Sequence, residues 1–106
     1  MATKKQEFRY NKRRGHYSYI YEEDGELRRN LLLSTKPQRK IKRDGKTLFV
    51  DNVKLDKHPN PKSNKDVWLI NRRFVDKKNA FETNARKNWK FKRSDKIKVY
   101  NIINKK

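Results

Sequence analysis

The 106-residue chain has no cysteine, three glycines and three prolines. Missing thiols exclude disulfides, thiolate metal sites and cysteine nucleophiles. Two histidines are present, His16 and His58, without the HxxxH or HExxH spacing of a zinc motif. No GxxxxGK[ST] stretch exists, which removes nucleotide hydrolysis of the P-loop type. Acids are scarce as well, with Asp and Glu numbering 12. Four of those acids crowd into residues 22–26, and the rest are scattered without the DxD or ExK spacing by which carboxylates hold Mg²⁺. We therefore expect no metal and no cofactor. Apolar residues reach only 32 %, which predicts a small, single core. No run approaches the ~20 apolar residues of a membrane span. The N-terminal stretch is not of signal-peptide type, Ala2 stands where myristoylation needs Gly, and Asn104-Lys105-Lys106 is not a CaaX box. The expected setting is cytoplasmic, with no membrane partner.

Positive charge is abundant. Lys and Arg number 31, for a formal charge of +19. Such a chain repels itself unless a polyanion neutralises it, and the excess is beyond the magnitude of about 2–8 that solubility asks of a small domain. The charge runs along the whole chain and is interleaved with aromatics, as in Trp89-Lys90-Phe91-Lys92-Arg93. That pattern points to RNA or DNA as partner. Residues 1–14 carry net +5, residues 36–46 net +5 and residues 67–93 net +7, whereas residues 15–35 carry net −2. The acidic hairpin is expected to face away from phosphate. The candidate nucleic-acid contacts are Lys12, Arg13 and Arg14; Arg39, Lys40, Lys42 and Arg43; Arg72 and Arg73; and Lys90, Lys92 and Arg93.

Residues 1–14 show no apolar periodicity and read as a basic N-terminal arm ordered by a partner. Residues 15–106 read as one small barrel domain with a C-terminal helix. His16-Tyr17-Ser18-Tyr19-Ile20-Tyr21 is strand-like, with Tyr17, Tyr19 and Tyr21 on one face. A turn at Glu23-Asp24-Gly25-Glu26 predicts a hairpin pairing 16–22 with 27–33. Lys46–Leu55 reads as a strand broken at Asp51-Asn52, and Val67–Ile70 as the most buried strand. A short helix is expected over 76–88 and a second over 95–104. Ser94 is the expected N-cap, with a stripe of Ile97, Tyr100 and Ile103 widened by Val99 and Ile102. The fold class expected is α+β, a small antiparallel SH3-like β-barrel with a C-terminal helix.

Metal-free RNA cleavage is chemistry that this inventory allows. The 2′-OH attacks the neighbouring phosphate, cations stabilise the added charge, and a polar side chain moves the proton. His16, Arg28, Arg29, Ser34, Thr35 and Lys36 supply such groups around one hairpin. Each has a plainer structural role available. His16 can simply flank a strand, His58 before Pro59 can be a turn residue, and Arg28-Arg29 can pair across the hairpin with Glu22 and Glu23. Trp89 and Phe91 can clamp helix to sheet or stack on bases, and the three tyrosines can form a stacking face.

The order of elements, with Leu31-Leu32-Leu33-Ser34-Thr35-Lys36-Pro37 closing the hairpin and Val67-Trp68-Leu69-Ile70-Asn71-Arg72 as a late strand, resembles the PemK/MazF-like endoribonuclease toxins, including the ToxN-type branch. The resemblance implies an SH3-like barrel that cuts RNA without metal. It also implies that Ser34, Thr35 and Lys36 are the counterparts of the family's site step; the hypothesis built on it has these three contact the scissile phosphate, with Arg28 or Arg29 stabilising charge and His16 moving a proton. The family's N-terminal Arg-Pro strand signature is replaced here by Gly15-His16-Tyr17. The reading carried forward is a basic RNA-binding protein with metal-independent endoribonuclease activity of toxin type. Two others stay open: a non-catalytic module of ribosome-associated or DNA-coating type, and a basic protein that docks on an acidic partner such as an antitoxin.

Overall fold

The structure, a computed structural model, describes residues 2–104. Met1 of the expected arm and Lys105 and Lys106 lie outside that range. Among the described residues seven strands form: β1 (Thr3–Asn11), β2 (His16–Asp24), β3 (Leu27–Ser34), β4 (Lys40–Arg43), β5 (Lys46–Phe49), β6 (Asp51–Lys54) and β7 (Trp68–Lys77). A 3₁₀ turn spans Lys78–Ala80, and helix α1 spans Arg93–Ile103. The main sheet is antiparallel, in the order β1-β2-β3-β7-β6, and β4-β5 is a separate hairpin. The α+β class is as expected, but the sheet stays open.

The expected hairpin is present, with Ser18 opposite Leu32 and Glu23 opposite Arg28. Alternation then divides the sheet into two faces. Phe8, Tyr19, Leu31, Leu33 and Leu69 face α1, where Val99 and Ile102 complete the main core. The opposite face carries two smaller clusters, Leu32 with Ile70 and Phe74, and Ile20 with Ala80 and Phe81. Ile20, Leu31 and Leu69 are wholly buried. At roughly 1.5–3 kcal/mol for each large apolar side chain, they hold the layers together.

Four expectations are corrected. Thr3–Asn11 of the expected arm form strand β1, whose Phe8 enters the core against Tyr19, Trp89 and Phe91. Their charged neighbours are tolerated because β1 is an edge strand. The expected helix over 76–88 does not extend past the 3₁₀ turn, because its backbone bonds outward. The N–H groups of Glu82 and Arg86 donate to the carbonyls of Tyr10 and Phe8, covering the outer edge of β1. Lys46–Leu55 splits at Val50, so β5 leaves the sheet with β4 and only β6 pairs β7. That departure leaves no strand to close a barrel.

The fourth correction concerns α1. It starts from Lys92 with no side-chain cap, and the Ser94 hydroxyl donates to Asp56 instead (2.6 Å). Asp95, wholly buried, accepts the N–H groups of Asp56 (2.7 Å) and Lys57 (3.1 Å), fixing the helix start to the 56–61 connector. Its buried stripe is Asp95, Val99 and Ile102, while Ile97 and Tyr100 lie exposed.

Candidate nucleic-acid interface

The face away from α1 gathers arginines from three parts of the chain. Arg14 arrives through the β1–β2 turn. The Asn11 Oδ1 accepts the N–H groups of Arg13 and Arg14 (3.1 Å each), and Gly15 takes the positive φ (71°) that closes the turn. Arg14 then rests on the Phe74 ring, its Cζ 4.0 Å from the centroid, and its Nε lies 3.4 Å from Asp76. Asp76 is buried and also accepts from the amides of Asn11 (3.3 Å) and Asn30 (3.1 Å). One buried carboxylate thereby ties the turn, β3 and β7 together and orients Arg14.

Arg72 reaches the same ring from a bulge. Register between β3 and β7 shifts between Asn30–Phe74 and Leu32–Ile70, which puts Asn71, Arg72 and Arg73 opposite Leu31 alone. Arg73 adopts φ 55°, a left-handed conformation costly for a side-chain-bearing residue. The bulge is pinned by Asn71, whose Oδ1 accepts from the Arg73 N–H and whose amide donates to the Ile102 carbonyl at the end of α1. The Arg72 Cζ lies 4.6 Å from the Phe74 centroid, and its Nε is buried with no hydrogen-bond partner. Burial first, and then the neighbouring charges of Arg14 and Arg43, push its pKa below the ordinary arginine value. Arg43 closes β4, before an Asp44-Gly45 turn with both φ angles positive, the hairpin turn that Asp-Gly favours. The guanidiniums of Arg14 and Arg72 thus share a buried phenyl ring, with Arg43 close enough to act on Arg72, and together they form a cationic patch. The carboxylate among them, Asp76, is already engaged.

The other expected contacts are dispersed. Lys12 and Arg13 lie on the β1–β2 turn, beside Arg14. Arg39, Lys40 and Lys42 lie on or before β4, and Arg73 is exposed on the bulge. Lys90, Lys92 and Arg93 belong to the approach to α1, away from the arginine patch; Lys90 donates its backbone N–H to the Pro59 carbonyl. Trp89 and Phe91 pack on the main core, as do Tyr17 and Tyr21 with buried Tyr19, so these aromatics are clamps between helix and sheet.

The expected catalytic set is split. Arg28 and Arg29 pair with Glu23 (3.6 Å) and Glu22 (3.5 Å), at the opposite end of β3 from Ser34. At ~3.3 Å per residue that separation is roughly 20 Å. Arg28 is only 3 % exposed. Glu23 also takes Lys5 (2.5 Å), and that hydrogen bond is the main reason its carboxyl pKa falls below the usual value. By contrast His16, Ser34, Thr35 and His58 line one hollow of about 190 Å³. The Ser34 hydroxyl accepts the Lys36 N–H (3.2 Å). His58 Nδ1 accepts the Asn60 N–H (3.0 Å), which leaves its proton on Nε2. Burial, followed by Lys57 and Lys65, lowers the His58 pKa. The turn role expected for His58 is seen, and the connector that Asp95 fixes carries it to the hollow that His16 also lines.

Among the described residues, no group of three or more His, Cys, Asp or Glu stands close enough to hold a metal ion. No helix among them is long and apolar enough to cross a membrane. No family model, curated protein or solved structure matches the chain.

Proposed function

We propose that the protein binds the sugar-phosphate backbone of RNA through the face of the sheet opposite α1. One observation carries the reading: Arg14 and Arg72 meet on the Phe74 ring, with Arg43 close enough to act on Arg72, and the buried Arg72 Nε has no acceptor. A buried donor without a partner costs about 1–3 kcal/mol, and converging cations add to that cost. A phosphate on the patch supplies the counter-charge, and guanidinium is the group best shaped to take it. The test is RNA binding by fluorescence anisotropy at two salt concentrations, for the wild type and for Arg14→Ala with Arg72→Ala. Affinity of the wild type should fall steeply with salt, and the double variant should bind more weakly with a shallower salt slope. Unchanged slope and affinity in the double variant would sink the reading.

A second reading is metal-independent cleavage, in the manner of the SH3-like toxins. It is favoured by the shared hollow of His16, Ser34, Thr35 and His58. There His16 would accept the 2′-OH proton and, as imidazolium, return it to the leaving oxygen, while the Nε2–H of neutral His58 would hydrogen-bond a phosphate oxygen and Lys36 would stand at the phosphate. Arg28 and Arg29 take no part, since their ion pairs hold them at the far end of β3. Incubation of the same RNA in excess EDTA, beside His16→Ala, separates the readings. Fragments ending in 2′,3′-cyclic phosphate, lost in the variant, mean cleavage. Intact RNA means binding alone.

A further inference from the structure

The most exposed aromatic of the described residues is Phe49, 84 % exposed at the end of β5. Nothing in the fold asks for it there. Its neighbour Val50 turns inward onto Leu32, Ile70 and Phe74, so the β4–β5 hairpin is rooted on the same cluster that carries the arginines. The root is fixed: the Asn52 side chain exchanges hydrogen bonds with both backbone groups of Gln38 (2.8 and 2.5 Å), and the Val50 N–H donates to the Arg39 carbonyl (2.9 Å). Between hairpin and sheet edge lies an open groove of about 380 Å³, lined by Pro37, Arg39, Phe49, Asp51, Lys54 and Trp68. Trp68 is half-buried, and the Lys54 Nζ stands 5.4 Å over its ring. The groove therefore combines two aromatic side chains, one almost fully solvated, with Arg39, with Lys54, which also pairs with Asp66 (3.5 Å), and with the carboxylate of Asp51. Its size is at the small end of the roughly 300–1,000 Å³ of small-ligand sites.

We infer that this groove holds an unpaired base of a single-stranded nucleic acid, stacked on Phe49, while the adjoining arginine patch holds the backbone. The inference rests on the phosphate-binding reading above and extends it to the form of the ligand. Exposed aromatics set beside cations suit single strands, because every base offers a flat face to stack on and a neighbouring phosphate to neutralise. A paired base is already stacked within its helix and has no face to give. A protein using only the arginine patch would accept duplex and single strand by charge alone. One that also uses the groove prefers the single strand.

The experiment compares a fluorescein-labelled single-stranded 12-mer RNA with the corresponding duplex, for the wild type, Phe49→Ala and Phe49→Tyr. A second single strand carries 2-aminopurine to report stacking. Phe49 is almost fully solvated, so its loss leaves the core intact, which a thermal melt checks. The wild type should prefer the single strand and quench 2-aminopurine. Phe49→Ala should lose roughly 5- to 100-fold in single-strand affinity, with duplex affinity and salt slope unchanged, and Phe49→Tyr should restore binding and quenching. Equal loss for both ligands, or no loss for either, overturns the groove while salt-dependent binding leaves the arginine patch standing. Absence of low-salt binding to either ligand overturns both readings together. A single-stranded DNA of the same sequence shows whether the 2′-OH contributes.

Discussion

Arg72→Met should make the free protein more stable and a poorer RNA binder. The wild-type side chain buries its Nε without an acceptor, near Arg14 and Arg43. The missing hydrogen bond costs about 1–3 kcal/mol, and the like charges add to it. The guanidinium regains part of this from the Phe74 ring, 4.6 Å away, a contact worth about 0.5–2 kcal/mol. Methionine keeps an unbranched, flexible stem over the same ring and removes both the orphan donor and the charge. The balance favours methionine by about 1 kcal/mol, a rise in Tm of roughly 4–8 °C for a domain of this size.

The assay is thermal unfolding followed by circular dichroism, in low salt without phosphate, and then with saturating RNA. Ligand stabilises the folded wild type by RT ln(1 + [L]/Kd). The order of the two Tm values should therefore narrow or reverse when RNA is added. In parallel, the slope of log K against log salt should flatten by about 0.7–0.9 for a lost phosphate contact. A variant that melts below the wild type without ligand, and that binds RNA with the same slope, would show Arg72 to be structural cement and refute the reasoning.

Two further outcomes follow from groups outside the patch. Asp95→Ala leaves the N–H groups of Asp56 and Lys57 without their acceptor and should lower stability by about 2 kcal/mol. Urea unfolding reads this as a lower midpoint, with Asp95→Asn losing less because an amide oxygen remains to accept. His58 is held neutral in the fold, its pKa below the ordinary 6.5, by burial first and then by Lys57 and Lys65. The unfolded chain therefore binds the proton more readily. The contribution of His58 is complete above pH 6.5 and is lost as pH falls from there to the lower folded value. Denaturant midpoints measured between pH 8 and pH 5 should show this decline, and His58→Gln should remove that part of it.

What could be read before the fold was known depended on how local its cause is. The 16–33 hairpin follows from neighbours in sequence, a run of aromatic and aliphatic residues, a glycine turn and a leucine return. Its ion pairs could be read for the same reason, because hairpin register sets Glu22 opposite Arg29 and Glu23 opposite Arg28. The helix near the C-terminus is legible from its spacing, though not its buried side. Ile97 and Tyr100 fit the period as well as Val99 and Ile102, and only the position of β6 and β7 decides between them. Strand β1 carries Phe8 among charged residues, and its partner on the outer edge lies at 81–86, far along the chain. The arginine patch is non-local altogether. Arg14 and Arg72 belong to a turn and a bulge, and Phe74 looks in sequence like any strand residue. Phe49 is the converse case, an apolar residue in an apolar run that the break at Val50 leaves in solvent.

The distribution of charge gives the strongest reason to regard the excess as functional. If the cations served only to keep the chain in solution, acids and bases would be mixed over the surface. Here the acids are gathered with particular partners. Glu23 takes Lys5, Arg28 and Lys78, Glu22 takes Arg29, Glu82 takes Arg86, and Asp56 takes Lys98. Among the described residues Arg39, Lys40, Lys42, Arg43, Arg72 and Arg73 take part in no ion pair. Lys40, Lys42 and Arg43 lie on the β4–β5 hairpin, Arg39 just before it, and Arg72 and Arg73 on the β7 bulge, the two departures from a regular sheet, while Lys36, Lys62 and Lys87 are examples of cations unpaired elsewhere. A regular β7 would have no extra residues to carry Arg72 to Phe74, and an unbroken strand through Val50 would draw the hairpin into the sheet. The irregularities that leave the sheet open therefore also bring the unpaired cations Arg43 and Arg72 close enough to act on each other. In a free protein that arrangement is unfavourable, and a bound polyanion relieves it.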